Sequence, residues 1–163
     1  MVNKPKAIGT QAESAVVKVL NATGWPLAER RILKGALDEG DITGTPALCW
    51  EVKGGDQARQ ASDALILEWL AETETERKNA NAEFGILVVQ RKGVGLANAG
   101  RWWAVMWACD LFRLHGGQVS GLLGVIYTAD IPIRLLLADA VTLLRMAGYG
   151  NPLPNPLADE DLS

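Results

Sequence analysis

The sequence predicts an α/β layer domain with a C-terminal helical addition, and three observations carry that expectation. Residues 84–90 (Phe-Gly-Ile-Leu-Val-Val-Gln) form a near-continuous apolar run, the mark of a strand covered on both faces. Residues 10–22 place Ala12, Ala15, Val16, Val19 and Leu20 at helical spacing. Residues 47–53 alternate, with Leu48, Trp50 and Val52 on one side and Ala47, Cys49, Glu51 and Lys53 on the other, as side chains do along a strand. With 163 residues, 48% hydrophobic and 21% charged, the chain has the length of one domain and the composition of a folded one.

The elements follow in order. The first helix stops at Gly24, with Trp25-Pro26 beyond it. Residues 27–33 read as a strand and 35–40 as a turn. Asp41-Ile42-Thr43-Gly44 is a short strand that turns at Thr45-Pro46 into the strand 47–53, which Gly54-Gly55 ends. Residues 58–82 read as a helix with Leu65, Trp69 and Leu70 inward and Glu68, Glu72, Glu74, Glu76 and Lys78 outward, Glu74 and Lys78 forming an i,i+4 pair. Residues 91–101 read as a flexible basic loop, 102–107 as a last strand, and the residues to about 114 as a short helix before Gly116-Gly117. Asp130-Ile131-Pro132 has the form of a helix start with proline in the first turn, the helix running to about 146. The expected division is a catalytic domain over 1–118, a helical extension over 119–150 packed on it, and a mobile tail over 151–163.

Charge and cysteine usage narrow the classes. The net charge is −3, so bulk charge gives no hint of nucleic acid, but residues 1–115 hold 14 basic and 14 acidic side chains while 116–163 hold 2 and 5. Acids gathered around a metal in the first part would leave the remaining surface net basic, which suits a phosphate backbone. Cys49, Cys109 and the single His115 are too few for a zinc site or a disulfide framework, and a reducing cytoplasm is the expected compartment. The N-terminus lacks the apolar run of a signal peptide, and charges and Pro132 interrupt the most apolar stretch, residues 119–148, so no membrane span is expected.

One constellation carries chemistry. Asp41 precedes Glu51 by ten positions with a turn between, so adjacent antiparallel strands bring the two carboxylates together, and Lys53 shares the face of Glu51 by alternation. Glu51-Val52-Lys53 can be an exposed strand with a cross-strand salt bridge. It can also be a hard oxygen site for Mg²⁺, with the lysine placed to orient water or stabilise charge on phosphate. Trp50 and Val52 beside it, the glycines around it and Asp41 on the preceding arm favour the second, because charges in a central strand need a partner or a metal.

These residues resemble the PD-(D/E)xK nuclease superfamily, and within it the archaeal-type Holliday junction resolvases with their phage and actinobacterial relatives. The resemblance covers roughly residues 6–115. It rests on Lys6-Ala7-Ile8-Gly9-Thr10-Gln11-Ala12-Glu13, Gly40-Asp41-Ile42, Trp50-Glu51-Val52-Lys53, the polar helix 67–81, residues 85–93 and the tryptophan-rich last strand. Gly40 stands where the motif's proline would be.

The resemblance implies a restriction-endonuclease-like three-layer fold, a mixed central sheet flanked by helices, and a homodimer that hydrolyses phosphodiesters at four-way DNA junctions with Mg²⁺, or Mn²⁺ in its place. It implies Asp41, Glu51 and the Val52 carbonyl as metal ligands, Glu13 completing the site, and Lys53 as the catalytic lysine. Arg91, Lys92 and Arg101 would contact DNA, and Arg30, Arg31 and Lys34 lie on the strand before Asp41 as further phosphate contacts. Gln57 and Gln60 are open either as assisting polar groups or as plain surface residues. Trp102, Trp103 and Trp107, with the leucine-rich stretch 133–146, are candidates for core or subunit interface. Two other readings stay open: a repair or replication nuclease acting on flap or duplex DNA, and a catalytically silent nuclease-fold module that binds DNA or protein. The joint presence of Glu13, Asp41, Glu51 and Lys53 argues against silence.

Overall fold

The computed structural model describes residues 4–32, 37–116 and 131–152. Lys34, the last two residues of the expected first domain, residues 119–130 of the expected extension and nearly all of the expected tail lie outside them.

Helix α1 (Lys4–Thr23) leads into two short strands, β1 (Glu29–Arg30) and β2 (Ile42–Thr43), which pair antiparallel with Arg30 opposite Ile42. The expected strand over 27–33 is cut to the two residues that pair with β2, and Leu27 and Ile32 on either side of them are 79% and 77% exposed. Gly44, at φ +77, makes the turn after β2, and a Cβ there would overlap the Leu27 carbonyl oxygen.

Strand β3 (Leu48–Lys53) starts the main sheet. Two helices follow where the sequence suggested one: α2 (Gly55–Arg59) and α3 (Asp63–Asn79). Ser62 makes the break, its hydroxyl accepting from the Leu65 N–H at 3.2 Å as an N-cap. The chain then forms β4 (Phe84–Val89), parallel to β3 with Lys53 opposite Val89, and β5 (Trp103–Trp107), antiparallel to β4. Between them, residues 96–101 coil into a 3₁₀ turn packed on α1, with Ala99 buried, so the expected flexible loop is flexible in neither its second half nor its anchorage. The Trp102 indole N–H, donating to the Val94 carbonyl at 3.1 Å, ties the first half down.

Helix α4 (Ala108–Leu114) runs as expected, but residues 132–136 do not form the start of a helix. They form β6 (Pro132–Leu136), antiparallel to β5 with Trp107 opposite Pro132 and Trp103 opposite Leu136, and the helix α5 (Leu137–Met146) begins only afterwards. Asp130-Ile131-Pro132 imitates a helix start, but β5 has backbone groups to pair and proline is tolerated at the first residue of an edge strand. The C-terminal residues therefore complete the sheet and its core instead of lying on a finished domain as a helical extension.

The result is a mixed four-stranded sheet, ordered β3-β4-β5-β6, between two helical layers. Even-numbered positions of β3, β4 and β5, among them Trp50, Ile86, Val88 and Met106, pack with α1 and with Leu137, Val141 and Leu144 of α5. Odd positions, Leu87, Val89 and Val105, pack with Ala58 of α2 and with Ile66, Trp69 and Leu70 of α3. The strand alternation thus divides the core, and the charged pair Glu51 and Lys53 falls on the side of α3.

Candidate active site

Asp41 lies just before β2, where that strand leaves β3. Its backbone N–H donates to the Trp50 carbonyl at 2.7 Å, and its Oδ2 accepts from the Val52 N–H at 2.8 Å. Backbone groups two apart on a strand point the same way, so the Val52 carbonyl faces this same edge. Lys53 Nζ is 2.6 Å from Glu51 Oε1 and 3.5 Å from Glu72 Oε2, with the Trp69 ring 5.7 Å from the ammonium. Asp41, Glu51, Val52 and Lys53 are therefore brought together as the spacing implied.

The electrostatics of this cluster are strained. Burial pushes the Asp41 carboxyl up to about 8, and the Glu51 charge beside it adds to the rise while the Val52 N–H opposes it. Burial likewise pushes Glu51 up to about 7, with the Lys53 ammonium opposing and Glu76 reinforcing. Burial works to lower Lys53, but the Glu51 and Glu72 carboxylates override it and leave the ammonium above its usual value. The lysine is a charged donor at neutral pH.

The other expected residues divide. Glu13, on α1, reaches the neighbourhood, and its charge contributes to the rise of Asp41, but its Oε2 accepts from Arg30 Nε at 2.7 Å. Among the described residues no three His, Cys, Asp or Glu side chains gather as a ready-made ligand set, so the carboxylate core is the pair Asp41 and Glu51, with Glu13 as a tethered neighbour. A Cβ on Gly54 would overlap Ala12, and that close approach is what brings α1 against the end of β3. Arg31 is paired with Glu39 at 2.7 Å, so both Arg30 and Arg31 already serve as counterions. Arg91 stacks on Trp103, Lys92 and Arg101 are exposed, and Gln57 and Gln60 are exposed on and just after α2.

Glu76 is the residue that sequence reasoning placed wrongly. It is buried on α3 and faces Glu51, and its Oε2 has no hydrogen-bond partner. Burial raises its carboxyl, and the Asp38 charge adds to the rise. The signal was available: Ile66, Trp69, Leu70 and Thr73 define the buried stripe of α3, and three residues further on that stripe reaches Glu76. A buried pair of carboxylates joined by a carbonyl on the same edge is a set of hard oxygen donors, which fits Mg²⁺ or Mn²⁺ completed by water and phosphate. No described helix is long and apolar enough to cross a membrane. Comparison with protein-family models, with curated proteins and with solved structures returns no match.

Proposed function

We propose that this chain is a metal-dependent DNA endonuclease, a Holliday junction resolvase acting as a homodimer. The observation that carries the reading is the pair of buried carboxylates, Asp41 and Glu51, set beside the charged Lys53 where β2 and β3 part. Burying two carboxylates side by side is costly, and a divalent cation relieves that cost where a salt bridge to one lysine relieves only half of it.

In this reading Asp41 and Glu51 hold the ion, and the Val52 carbonyl faces the same edge. When bound, the ion supplies charge neutralisation at the phosphate and acidifies a water. The Val52 N–H fixes one oxygen of Asp41. Lys53, kept as an ammonium by Glu51 and Glu72, donates to a phosphate oxygen as negative charge builds there, and it holds its proton throughout. Trp69 limits the freedom of the lysine head. Glu13 orients Arg30, and through it links α1 to β1 behind the site.

A dimer presents two such sites related by a two-fold axis, which matches a four-way junction and makes paired, symmetric nicks the expected product. The test is purified protein with Mg²⁺ on end-labelled four-way junction, flap and plain duplex of matched sequence. Symmetric nicking of the junction supports the proposal. Equal cutting of flap and duplex would move the substrate, and undiminished cutting in excess EDTA, or none with Mg²⁺ and Mn²⁺, would end it.

A further inference from the structure

We propose that the outer part of the sheet carries a second DNA contact, a phosphate-gripping site for a duplex arm formed by Arg91 and Arg134 on the ring of Trp103. Trp103, Val105 and Trp107 share the sheet face that α2 and α3 cover over β3 and β4. Over β5 and β6 that cover gives out: Val105 is buried, but Trp103 and Trp107 are only half-buried, and Pro132 and Arg134 are exposed.

Two cations converge on the half-buried ring of Trp103. Arg91, from the turn after β4, holds its guanidinium carbon 4.4 Å from the ring centre of Trp103. Arg134, opposite Val105 on β6, leans along its strand to within 5.6 Å of the same ring. A stacked guanidinium is oriented by the ring while its N–H edge stays free for an oxyanion, so each arginine is arranged for phosphate at little further ordering cost. Two like charges on one ring repel, and the arrangement calls for anions to offset them, one phosphate for each guanidinium. Arg134 has Asp63 at 3.2 Å, but that carboxylate is 95% exposed and easily displaced, and Arg91 has no carboxylate partner among the described residues. Lys92 and Arg101, exposed at the same end of the sheet, extend the positive field.

The occupant is the sugar–phosphate backbone of a duplex arm. Guanidiniums occupy the ring, so it is not offered to an unpaired base, and phosphate contacts carry no sequence information. Lys53, Val89 and Trp103 stand in one register row across three strands. That places Trp103 about 10 Å from the lysine along the sheet at the usual strand spacing. Ala58 of α2 and Ile66 and Trp69 of α3 pack on this face beside Val89 and Trp103, so a backbone gripped at Trp103 belongs to an arm and not to the scissile step.

The inference rests on the nuclease reading for the identity of the polyanion, and its test needs no cleavage. Fluorescence anisotropy of labelled duplex and four-way junction, in Ca²⁺ or EDTA, is compared for the wild type, R91A/R134A and R91K/R134K across a series of NaCl concentrations. The alanine pair should weaken binding at least tenfold, and its plot of log K against log salt should be shallower by about two, one for each phosphate no longer neutralised. The lysine pair, which keeps charge and gives up the stacked fork, should restore the slope but not the affinity. Circular dichroism checks that the substitutions leave the fold intact. If the wild type binds DNA and the alanine pair binds equally well, this site is wrong and the nuclease reading stands. If the wild type binds no DNA at low salt, both fall. If the alanine pair changes sedimentation but not affinity, the face is a protein interface and the inference is overturned.

Discussion

Replacing Asp41 by Asn should stabilise the metal-free protein while removing its chemistry. In the folded chain the Asp41 carboxyl holds its proton up to about pH 8, whereas its ordinary value is 3.8. Below about pH 4 both states are protonated and the site costs nothing. Between the two values the unfolded chain releases its proton and the folded chain does not, so stability falls with rising pH; above about pH 8 the loss is complete. At 1.36 kcal/mol per unit, a gap of about four units sets an upper bound of ~6 kcal/mol, which proton sharing with Glu51 brings to about 2–4 kcal/mol. Asparagine keeps an oxygen to accept from the Val52 N–H and carries no charge. Urea unfolding in EDTA at pH 5, 7 and 9 should show the wild type losing midpoint steadily, with Asp41→Asn losing less, through Glu51 alone, and more stable than the wild type at pH 9. Saturating Mg²⁺ should rescue the wild type at pH 9 and leave the variant unmoved. A wild-type midpoint that is level from pH 5 to 9, or a variant less stable at every pH, would refute the account of the site as an uncompensated carboxylate pair.

Three further outcomes are expected. Glu51→Gln and Lys53→Ala should each lower cleavage of a four-way junction by at least a hundredfold in single-turnover assays while junction affinity stays within threefold, since most binding energy comes from other phosphate contacts. Truncation after residue 130 should abolish cooperative unfolding, and Leu144→Ala alone should cost about 2–5 kcal/mol by denaturant titration, because that side chain is fully buried between α5 and the sheet. Glu76→Gln, which removes a charge from beside Glu51, should raise the melting temperature of the metal-free protein at pH 8 and weaken Mn²⁺ binding in calorimetry, whereas Glu68→Gln on the exposed face should do neither.

The parts of the fold that local pattern dictates were legible. Strand β4 announces itself because it is buried on both faces and every residue from Phe84 to Val89 is apolar or glycine, and β3 does so because its two faces differ. The juxtaposition of Asp41, Glu51 and Lys53 needed only a turn and alternation. Strand β6 was misread: Ile131, Ile133 and Leu135 alternate with Pro132 and Arg134, but the helix-start form of Asp130-Ile131-Pro132 hid that alternation, and its pairing partner lies some thirty residues earlier in the chain. Glu76 was misplaced because a glutamate was assigned to solvent on its chemistry alone, against the stripe that its own helix defines. The pairing of Arg30 with Glu13 joins two elements through side-chain ends, and no spacing rule reports that.

The edge strand β6 and helix α5 also decide when the molecule can exist. Leu137, Val141 and Leu144 fill the same core layer as Val16, Leu20 and Trp50, and the Asn151 N–H donates to the Gly24 carbonyl at 2.7 Å. The innermost layer is therefore closed by residues made after all its other members, about ninety positions after Trp50 and more than a hundred after Val16 and Leu20. Such long-range closure makes folding slow, and the loop that must be closed grows with every residue synthesised before it. The carboxylate pair takes its raised affinity for protons from burial, so a ribosome-bound chain that stops short of β6 has the ligands in sequence but not the environment that gives them their character.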